Sequence, residues 1–520
     1  MNREEMLTRL QERQKPWDIL IIGGGATGIG AAVDAASRGY DVALVEQSDF
    51  GKGTSSRSTK LAHGGVRYLE QGNISLVMEA LKERGLMRQN APHLVHDLAF
   101  VVPNYEWWEA PFYGIGLKVY NLLAGKYGFG ASKILTRDET LERLPTIKTE
   151  GLRGGIVYYD GQFDDSRLLT NLAQTAAEQG ATLANYVKVT ELLKDSDGFV
   201  NGVKAIDAET HDTLTIRAQI VINATGAFTD TIRKMADADA KNIIAPSQGI
   251  HLVFKGEFLS SKNAIMVPHT SDGRVMFAIP WHGHTLVGTT DTPIETATLE
   301  PLPFDEEIEF ILQTAAQYLD KPPTRDDVLS VYTGIRPLVK ANEGESTAAL
   351  SRDHTIRIEP SGFLTITGGK WTTYRHMAED VVNQAAMLGK LDERPCVTRT
   401  LNVHGFHQNA AKFADLEVYG SDAPAILDLM RTEPALARQL DSELPYVAAQ
   451  VVWAVRHEMA RTLDDVLSRR LRALILNAKA ALRMAPQVAD ILAAELNKDA
   501  AWREIQLKTF AEMAKGYQLP

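Results

Sequence analysis

Cysteine is nearly absent from this sequence, since Cys396 is the single one among 520 residues. One cysteine excludes an intramolecular disulfide framework, a CxxC redox pair, an all-cysteine zinc site and an iron–sulfur cluster. Long apolar runs are also missing, because no window offers the roughly 18 consecutive apolar residues of a membrane-spanning helix. Positive charge is not in excess: Lys and Arg total 55 against 66 Asp and Glu, a net charge of −11. That balance argues against nucleic acid as a partner.

The composition that remains is that of an ordinary globular chain. Hydrophobic residues make up 44% and charged residues 23% of the 520, a length that predicts about three domains at roughly 150 residues each. The start of the chain, 1–16, is rich in charge and lacks the apolar stretch of a signal peptide. We therefore expect a cytoplasmic protein, one that can lie peripherally on the inner face of the cytoplasmic membrane.

A strand, a glycine turn, a helix and a second strand follow one another near the start. The apolar run 19–22 has the length of a buried strand, an alanine-rich helix follows, and 42–45 is a second short buried strand. Gly23-Gly24-Gly25-Ala26-Thr27-Gly28 stands between the first strand and the helix and fits GxGxxG, and Glu46 ends the second strand. This context makes the motif specific and predicts a bound dinucleotide.

Each glycine of the motif has a distinct physical role in such a unit. Gly23 permits the tight turn, Gly25 lets the backbone approach a pyrophosphate, and Gly28 lets helix and strand pack closely. The helix N-terminus adds N–H donors and the positive end of a dipole. Glu46 can accept a hydrogen bond from a ribose hydroxyl.

Two later stretches favour a flavin as that dinucleotide. Asn223-Ala224-Thr225-Gly226 closes another buried strand with small residues, as expected where backbone passes a cofactor. Thr367-Gly368-Gly369-Lys370-Trp371-Thr372 places paired glycines at the N-terminus of a further helix, whose dipole would stabilise an anionic reduced flavin by about 0.3–2 kcal/mol. Because no second GxGxxG is present for a pyridine nucleotide, we predict FAD, held non-covalently.

The periodicity of apolar residues divides the rest of the chain into three regions. Residues 154–226 form a second α/β stretch, 246–313 alternate as an antiparallel sheet, and the chain beyond 403 is helical. In this C-terminal region, a single helix face is predicted to carry Val447, Val451, Val455, Met459, Leu463, Val466 and Leu467. The run Arg469, Arg470 and Arg472 is predicted to be a solvated helix face.

Five strings resemble those of FAD-dependent glycerol-3-phosphate dehydrogenases, the aerobic and respiratory family. They are Thr54-Ser55-Ser56-Arg57-Ser58-Thr59-Lys60, His63-Gly64-Gly65-Val66-Arg67-Tyr68-Leu69-Glu70, Thr333-Gly334-Ile335-Arg336-Pro337, Ser351-Arg352-Asp353-His354 and Gly368-Gly369-Lys370-Trp371-Thr372-Thr373-Tyr374-Arg375. The resemblance covers nearly the whole chain. It implies an α/β (α+β overall) fold with a Rossmann-like FAD-binding domain of the glutathione-reductase/D-amino-acid-oxidase type, an antiparallel β substrate domain and an all-α C-terminal domain.

Domain boundaries follow from the resemblance together with the pattern. We expect a helical N-terminal extension, a discontinuous FAD-binding domain, a substrate-binding domain in two pieces and a helical C-terminal domain. Their ranges are, in that order, 1–16; 17–106, 150–245 and 336–395; 107–149 and 246–335; and 403–520.

The resemblance also implies the site residues. Arg67, Tyr68, Arg336, Arg352 and Lys370 would converge on a phosphate, for which the planar fork of arginine is suited, and His251 is the candidate base beside Arg336 and Lys370. A structural role for His251 remains the alternative. The residues expected at the FAD are Gly23, Gly25, Ala26, Thr27, Gly28, Glu46, Thr54, Ser55, Ser56, Ser58, Lys60, His63, Gly64, Gly65, Val187, Ala224, Thr225, Gly226, Gly369, Lys370, Trp371 and Thr372.

The expected activity is oxidation of sn-glycerol 3-phosphate to dihydroxyacetone phosphate, with electrons passed to the membrane quinone pool. Three alternatives remain open: an oxidase that reduces oxygen to hydrogen peroxide, an amine or amino-acid oxidase of the same fold, and a non-catalytic flavin-binding scaffold. The sequence also allows a homodimer.

Two local patterns are ambiguous. The aromatic-rich stretch 107–123 is either an interfacial helix at a membrane or an ordinary helix packed on the substrate domain. His282-Gly283-His284 has the spacing of metal ligands but falls between two strands, which favours a hairpin turn, and no metal is expected.

Overall fold

The computed structural model describes residues 1–65, 73–106, 109–268, 270, 273–340 and 354–519. The α-helices there are α1 (Arg3–Glu12), α2 (Ala26–Ser37), α3 (Ile74–Asn90), α4 (Glu109–Ala124), α5 (Arg137–Arg143), α6 (Asp165–Glu178), α7 (Thr229–Ala236), α8 (Asp305–Tyr318), α9 (Tyr374–Leu388), α10 (Ala423–Thr432), α11 (Ala448–Glu458), α12 (Ala473–Leu476), α13 (Ala478–Glu495) and α14 (Ala500–Ala514). The strands are β1 (Trp17–Ile22), β2 (Val42–Val45), β3 (Leu61–Ala62), β4 (Val95–Asn104), β5 (Lys133–Thr136), β6 (Gly154–Phe163), β7 (Thr182–Ala184), β8 (Val187–Lys194), β9 (Val200–Asp207), β10 (Thr213–Asn223), β11 (Ile244–Lys255), β12 (Ala264–Val267), β13 (Met276–Trp281), β14 (His284–Gly288), β15 (Thr292–Pro293), β16 (Ser330–Val339), β17 (His354–Ile358), β18 (Leu364–Gly368), β19 (Gln439–Asp441) and β20 (Leu444–Val447).

An eight-stranded sheet contains the predicted βαβ unit. Its order is β17-β18-β10-β1-β2-β7, with β9 on β10 and β8 on β9, and β1 pairs in parallel with both β2 and β10. Helices α2, α6 and α9 pack on one face, and α1 and α7 pack on the other. The β8–β9 hairpin also lies on that second face, because it pairs with the first part of β10, 213–217, and not with the part that pairs with β1. Because both faces are covered, strand β1 reads in the sequence as an almost continuous apolar run.

A second, ten-stranded sheet has the order β15-β11-β14-β13-β12-β4-β6-β3, with β16 on β11 and β5 on β6. Its pairs are antiparallel except that of β12 with β4. Strands β3, β4 and β6 lie in segments that the sequence analysis assigned to the FAD-binding domain. In the structure they pair with one another within the ten-stranded sheet. The predicted fold class is confirmed by these two sheets and by the mainly helical region that follows them.

The C-terminal region differs from its predicted pattern in two respects. It contains a small hairpin of β19 and β20, and helix α11 ends at Glu458 because Met459 adopts a left-handed conformation with φ of 56°. The continuous helix face predicted from Val447 to Leu467 is therefore wrong. The chain turns after Met459, and the Asp465 carboxylate accepts the N–H groups of Arg461 and Thr462, 2.7 and 3.1 Å away, before a π-helical turn at Asp465–Arg470.

The predicted solvated face of Arg469, Arg470 and Arg472 is also wrong. These side chains are 3%, 1% and 2% exposed and form ion pairs with buried aspartates. Burial of charge is tolerated only where partners compensate it, and here two of the partners, Asp49 and Asp165, come from distant segments of the chain.

Helix α4 accounts for much of the aromatic-rich stretch. Tyr113, Leu117 and Tyr120 are buried in a cluster shared with the ten-stranded sheet, while Leu122 is 80% and Val119 41% exposed. One face is thus that of an ordinary packed helix, and Trp107 and Trp108 lie outside the described residues. Every helix of the described residues is too short or too polar to cross a lipid bilayer.

His404 predicts a pH dependence of stability. Its ring bonds Glu178 of α6 at 2.5 Å and Asp422 at 2.8 Å, and these contacts raise the pKa of His404 to about 9 although burial opposes them. A histidine whose pKa is raised by folding contributes stability below its unfolded pKa of about 6.5 and loses that contribution as pH rises through 9. We expect the unfolding free energy of the wild type to fall by about 3 kcal/mol more than that of His404→Gln between pH 6 and 9.5, since one pKa unit corresponds to about 1.4 kcal/mol. Denaturant titration at both pH values measures the difference, and equal losses in the two proteins would contradict it.

Candidate functional site

A long cleft runs over the carboxyl ends of β1, β2 and β10. Its cavity volume is about 310 Å³, and ligands of open α/β sheets bind at this edge. Among the predicted cofactor residues its lining includes Gly23, Gly25, Ala26, Thr27, Glu46, Thr54, Ser55, Val187, Ala224, Thr225, Gly226, Gly369, Lys370 and Trp371. Separate segments of the sequence therefore meet at one surface.

The glycine turn has no room for side chains at two positions. A Cβ on Gly23, where φ is 111°, would lie 2.6 Å from the Ala224 carbonyl oxygen, and a Cβ on Gly28 would lie 1.9 Å from the Gly23 carbonyl oxygen. Helix α2 begins after Gly25, which has no side chain to cap the helix. Because Gly25, Ala26 and Thr27 line the cleft, the N-terminal end of α2 and the positive end of its dipole suit an anionic group there.

Glu46 lies beside this turn. Its carboxylate accepts the N–H groups of Gly24 at 2.7 Å and Ser48 at 2.9 Å, which fixes the side chain at the cleft. Burial raises the pKa of Glu46, and the two backbone hydrogen bonds oppose that change. A carboxylate has capacity for further donors, so a ribose hydroxyl can still bind it.

The short turn Thr54–Ser56 lies at the cleft and is hydrogen-bonded to three neighbouring elements. The Thr54 hydroxyl donates to the Ile335 carbonyl at 2.6 Å, and the Ser55 hydroxyl accepts the Ala26 N–H at 2.9 Å. The Trp371 indole N–H donates to the Ser55 carbonyl at 2.8 Å. This turn is consequently fixed to the glycine-turn helix, to β16 and to the entry of α9.

His251 lies on the face of the ten-stranded sheet that meets the loop 54–60. Its ring stacks on Tyr332 of β16 with centroids 4.7 Å apart, and Nε2 lies 2.9 Å from the Thr59 hydroxyl oxygen. Nδ1 is buried and has no hydrogen-bond partner among the residues that the structure describes. Burial lowers the pKa of His251 well below its usual value, and the charges of Lys60 and Arg336 lower it further. The imidazole is thus neutral at physiological pH and can accept a proton.

Arg336 lies on β16, the strand that pairs with the strand of His251. Its guanidinium donates to Asp291 at 3.0 Å and to the Thr290 carbonyl at 2.9 Å, with longer contacts to the Gln248 carbonyl at 3.4 Å and the Thr289 hydroxyl at 3.2 Å. The side chain is 24% exposed. A phosphate oxygen can replace the two longer contacts while Asp291 and the Thr290 carbonyl keep the fork in position.

Three glycines that the sequence reasoning missed bring these groups together. Gly249 and Gly334 face each other in the β11–β16 pair, and a Cβ on Gly249 would lie 2.5 Å from the Arg336 guanidinium. Gly249 and His251 are two residues apart in β11 and therefore share a face of the sheet. The Arg336 guanidinium, which lies over Gly249, is consequently beside His251. A Cβ on Gly288 would lie 2.3 Å from the His251 ring. An isolated glycine within a strand pattern indicates such a close approach and was the available signal.

Other predicted residues lie outside the cleft lining. The Lys60 ammonium is fully buried and donates to Asp165 at 2.6 Å and to the Ser56 carbonyl at 2.9 Å. Burial lowers the pKa of Lys60 to about 7 against the opposing charge of Asp165. The remaining predicted cofactor residues that do not line the cleft are Gly28, Ser56, Ser58, His63, Gly64, Gly65 and Thr372. Arg67, Tyr68 and Arg352 lie outside the described residues.

His63 nevertheless lies close to the entry of α9, and Gly64 contacts α4. The His63 N–H donates to the Thr372 hydroxyl at 3.3 Å, and the Gly64 N–H donates to the Tyr120 hydroxyl at 2.8 Å. Lys370 lines the cleft directly before Trp371, after Gly368 and Gly369 with φ of 78° and 71°. The predicted turn–helix junction is therefore present, and it faces the glycine turn.

The chemistry of the cleft fits FAD. The N-terminus of α2, which follows Gly25 at the cleft, suits a pyrophosphate, and Glu46 suits a ribose. The small residues 224–226 and the junction 368–371 leave space for a ring system at the end of the cleft nearer to β16, since Pro337 also lines it.

Comparison with known proteins agrees with this geometry. A family model of FAD-dependent oxidoreductases matches residues 18–375, and one of the C-terminal domain of alpha-glycerophosphate oxidase matches residues 363–503. The chain is 41% identical over 543 residues to the mitochondrial glycerol-3-phosphate dehydrogenase of Homo sapiens, covering 98% of this chain and 74% of that protein. For the mitochondrial enzyme of Arabidopsis thaliana the identity is 39% over 546 residues, with 97% and 86% covered.

Solved structures give the same result. The glycerol-3-phosphate dehydrogenase from Bacillus halodurans complexed with FAD superposes with a TM-score of 0.81 at 30% identity, covering 99% of this chain and 97% of that one. Glycine oxidase from Geobacillus kaustophilus, at 20% identity and a TM-score of 0.54, covers 75% of this chain and 98% of its own and shares the fold alone. FAD is the cofactor of this group, and the predicted cofactor is confirmed. The chain belongs to the family of FAD-dependent glycerol-3-phosphate dehydrogenases.

Proposed function

We propose that this chain oxidises sn-glycerol 3-phosphate to dihydroxyacetone phosphate and passes the electrons to a membrane quinone. The observation that carries the proposal is the pairing of a neutral imidazole, His251, with a fixed guanidinium, Arg336, on neighbouring strands beside the loop that borders the cleft. Oxidation of a phosphorylated secondary alcohol needs a base for the hydroxyl proton and a cation for the phosphate. The relatives are named glycerol-3-phosphate dehydrogenases, and their similarity to this chain supports the same substrate here.

The reaction divides between the cofactor and the protein. FAD, when bound, supplies an acceptor for the hydride that leaves the secondary carbon. Arg336 binds the phosphate in a bidentate manner and so orients that carbon. His251 takes the hydroxyl proton at Nε2, the nitrogen that already faces the loop through the Thr59 hydroxyl. Lys370, at the junction before Trp371, adds positive charge at the cleft, and Arg67, Tyr68 and Arg352 are proposed to complete the phosphate site.

The proposed quinone acceptor is supported by exposed apolar side chains on two neighbouring helices. Leu122 and Val119 on α4, with Ile74 and Met78 on α3, are 80%, 41%, 49% and 50% exposed. Scattered exposed apolar side chains are common, but these four lie on two helices in contact. They support peripheral contact with a membrane, where a lipid-soluble quinone would be met.

An oxidase that uses molecular oxygen is the second candidate, since the family model matching 363–503 is named for alpha-glycerophosphate oxidase. One experiment distinguishes the dehydrogenase from the oxidase. The bound flavin is reduced with glycerol 3-phosphate in the absence of oxygen, and the reduced protein is then mixed with either a short-chain quinone or oxygenated buffer. We expect reoxidation by quinone to be faster by at least about tenfold, with little peroxide. Faster reoxidation by oxygen with stoichiometric peroxide would assign the oxidase instead.

A further inference from the structure

Arg472, in the C-terminal region, lies against the cofactor loop rather than in solvent. Its Nη2 donates to the Ser56 carbonyl at 3.0 Å and to Asp165 at 2.8 Å, and its Nη1 donates to the Ser166 hydroxyl at 2.7 Å. The side chain is only 2% exposed. Ser56 ends the turn whose other residues contact Ala26, Ile335 and Trp371.

The Ser56 carbonyl is held from two directions. The Lys60 ammonium donates to it at 2.9 Å, and both cations share the carboxylate of Asp165, which also accepts the Ser58 N–H and hydroxyl. A charge buried this deeply is retained only where it is fully compensated. The compensating contacts of Asp165 therefore include a residue from far along the chain, Arg472.

A second contact joins the same two regions. Asp464 accepts the Lys52 ammonium at 2.6 Å, and Lys52 lines the cleft. Asp464 also pairs with Arg469 at 2.9 Å, which in turn binds Asp49, a residue close to β2 in the sequence. The loop 51–60 is thus held by the C-terminal region at Lys52 and at Ser56.

We propose that Arg472, assisted by Asp464, is a positioning residue for FAD: it fixes the turn Thr54–Ser56 in the conformation that receives the cofactor. The physical reason is that Ser55 holds the first N–H of helix α2 and the indole of Trp371, so displacement of Ser56 moves groups on both sides of the cleft. This inference rests on the proposed placement of FAD in the cleft. It does not depend on the substrate.

The test compares the full-length variants Arg472→Lys and Asp464→Asn with the wild type. Arg472→Lys keeps the charge beside Asp165 but loses the fork that reaches Ser56 at the same time. The control is Arg456→Met, which removes an exposed bidentate pair with Glu495 within the same C-terminal region. Each apoprotein is titrated with FAD by flavin fluorescence, and visible circular dichroism of the bound flavin and the melting temperature are recorded.

We expect Arg472→Lys to weaken FAD binding by about tenfold and Asp464→Asn by about threefold, both with an altered visible dichroism, while Arg456→Met leaves both unchanged. A merely structural role would lower the melting temperature and leave the dissociation constant of the folded protein unaltered. Should Arg472→Lys not fold, Asp464→Asn decides alone. Dissociation constants within twofold of the wild type, in variants that fold, would overturn the proposal. A wild type that binds no FAD would overturn the placement of the cofactor as well.

Discussion

Replacing Arg336 by alanine is expected to lower kcat/KM for glycerol 3-phosphate by about 10²- to 10⁴-fold. Two charge-assisted hydrogen bonds to a phosphate contribute about 3–6 kcal/mol together, and tenfold corresponds to about 1.4 kcal/mol. The loss is enlarged because Asp291, 9% exposed, would remain as an unpaired anion beside the phosphate. Steady-state kinetics measure the effect, and flavin absorbance checks that FAD is still bound.

Two further variants make this result specific. Arg336→Lys keeps the charge but cannot bind two oxygens in one plane, so we expect it to recover some of the lost activity, mainly through KM. Arg357→Ala removes a half-exposed arginine on β17 that pairs with Glu359 and should leave the kinetics unchanged. If Arg336→Ala retained the wild-type kcat/KM, the phosphate site would have to be elsewhere.

The second large effect is expected at His251. His251→Asn should reduce the rate constant of flavin reduction by about 10²- to 10⁴-fold, the usual contribution of a general base, while the affinity for FAD stays within a few-fold. Because the pKa of His251 is lowered by burial, the imidazole is deprotonated above about pH 6.5, and the wild-type rate constant at saturating substrate should be constant from there to about pH 8. It should fall only at lower pH, as His251 takes up a proton.

Stopped-flow reduction without oxygen measures this rate constant directly. The matched control is His211→Asn at an exposed position, where no change is expected. A His251→Asn protein that reduces its flavin at the wild-type rate would leave His251 with the structural role that its stacking on Tyr332 allows.

Local patterns were sufficient for the fold and for most of the cleft. The βαβ unit of β1, α2 and β2 was predictable because the glycine turn and two buried apolar runs are short-range signals, and a parallel sheet leaves few topologies. The junction at Gly368–Trp371 was predictable for the same reason. Glycines mark positions where backbone must approach something closely, whatever the distant partner is.

Long-range charge pairs were not predictable. Arg470 and Asp49 are separated by 421 residues, and Arg472 and Asp165 by 307, so no local pattern connects them. A run of arginines on a helix usually lies in solvent, and only the folded chain shows which carboxylates compensate them. The end of α11 was missed because Leu463 and Val466 keep the apolar spacing although the backbone turns at Met459.

The same limit applies to the base. The sequence singled out His251, but neither its contact with Thr59 nor the packing of its ring against Gly288 can be read from spacing, because β11, β14 and β16 approach one another from separate segments of the chain. What the structure adds is the environment that makes the imidazole neutral.

Anaerobic addition of glycerol 3-phosphate to the purified yellow holoprotein is the most direct measurement of the account. We expect the visible absorbance of the bound flavin to bleach fully within seconds, whereas glycerol, which lacks the phosphate, and glycine, the substrate type of the amino-acid oxidases, should leave it unchanged. A flavin that stays oxidised with glycerol 3-phosphate, or that glycine bleaches equally fast, would contradict the proposed activity.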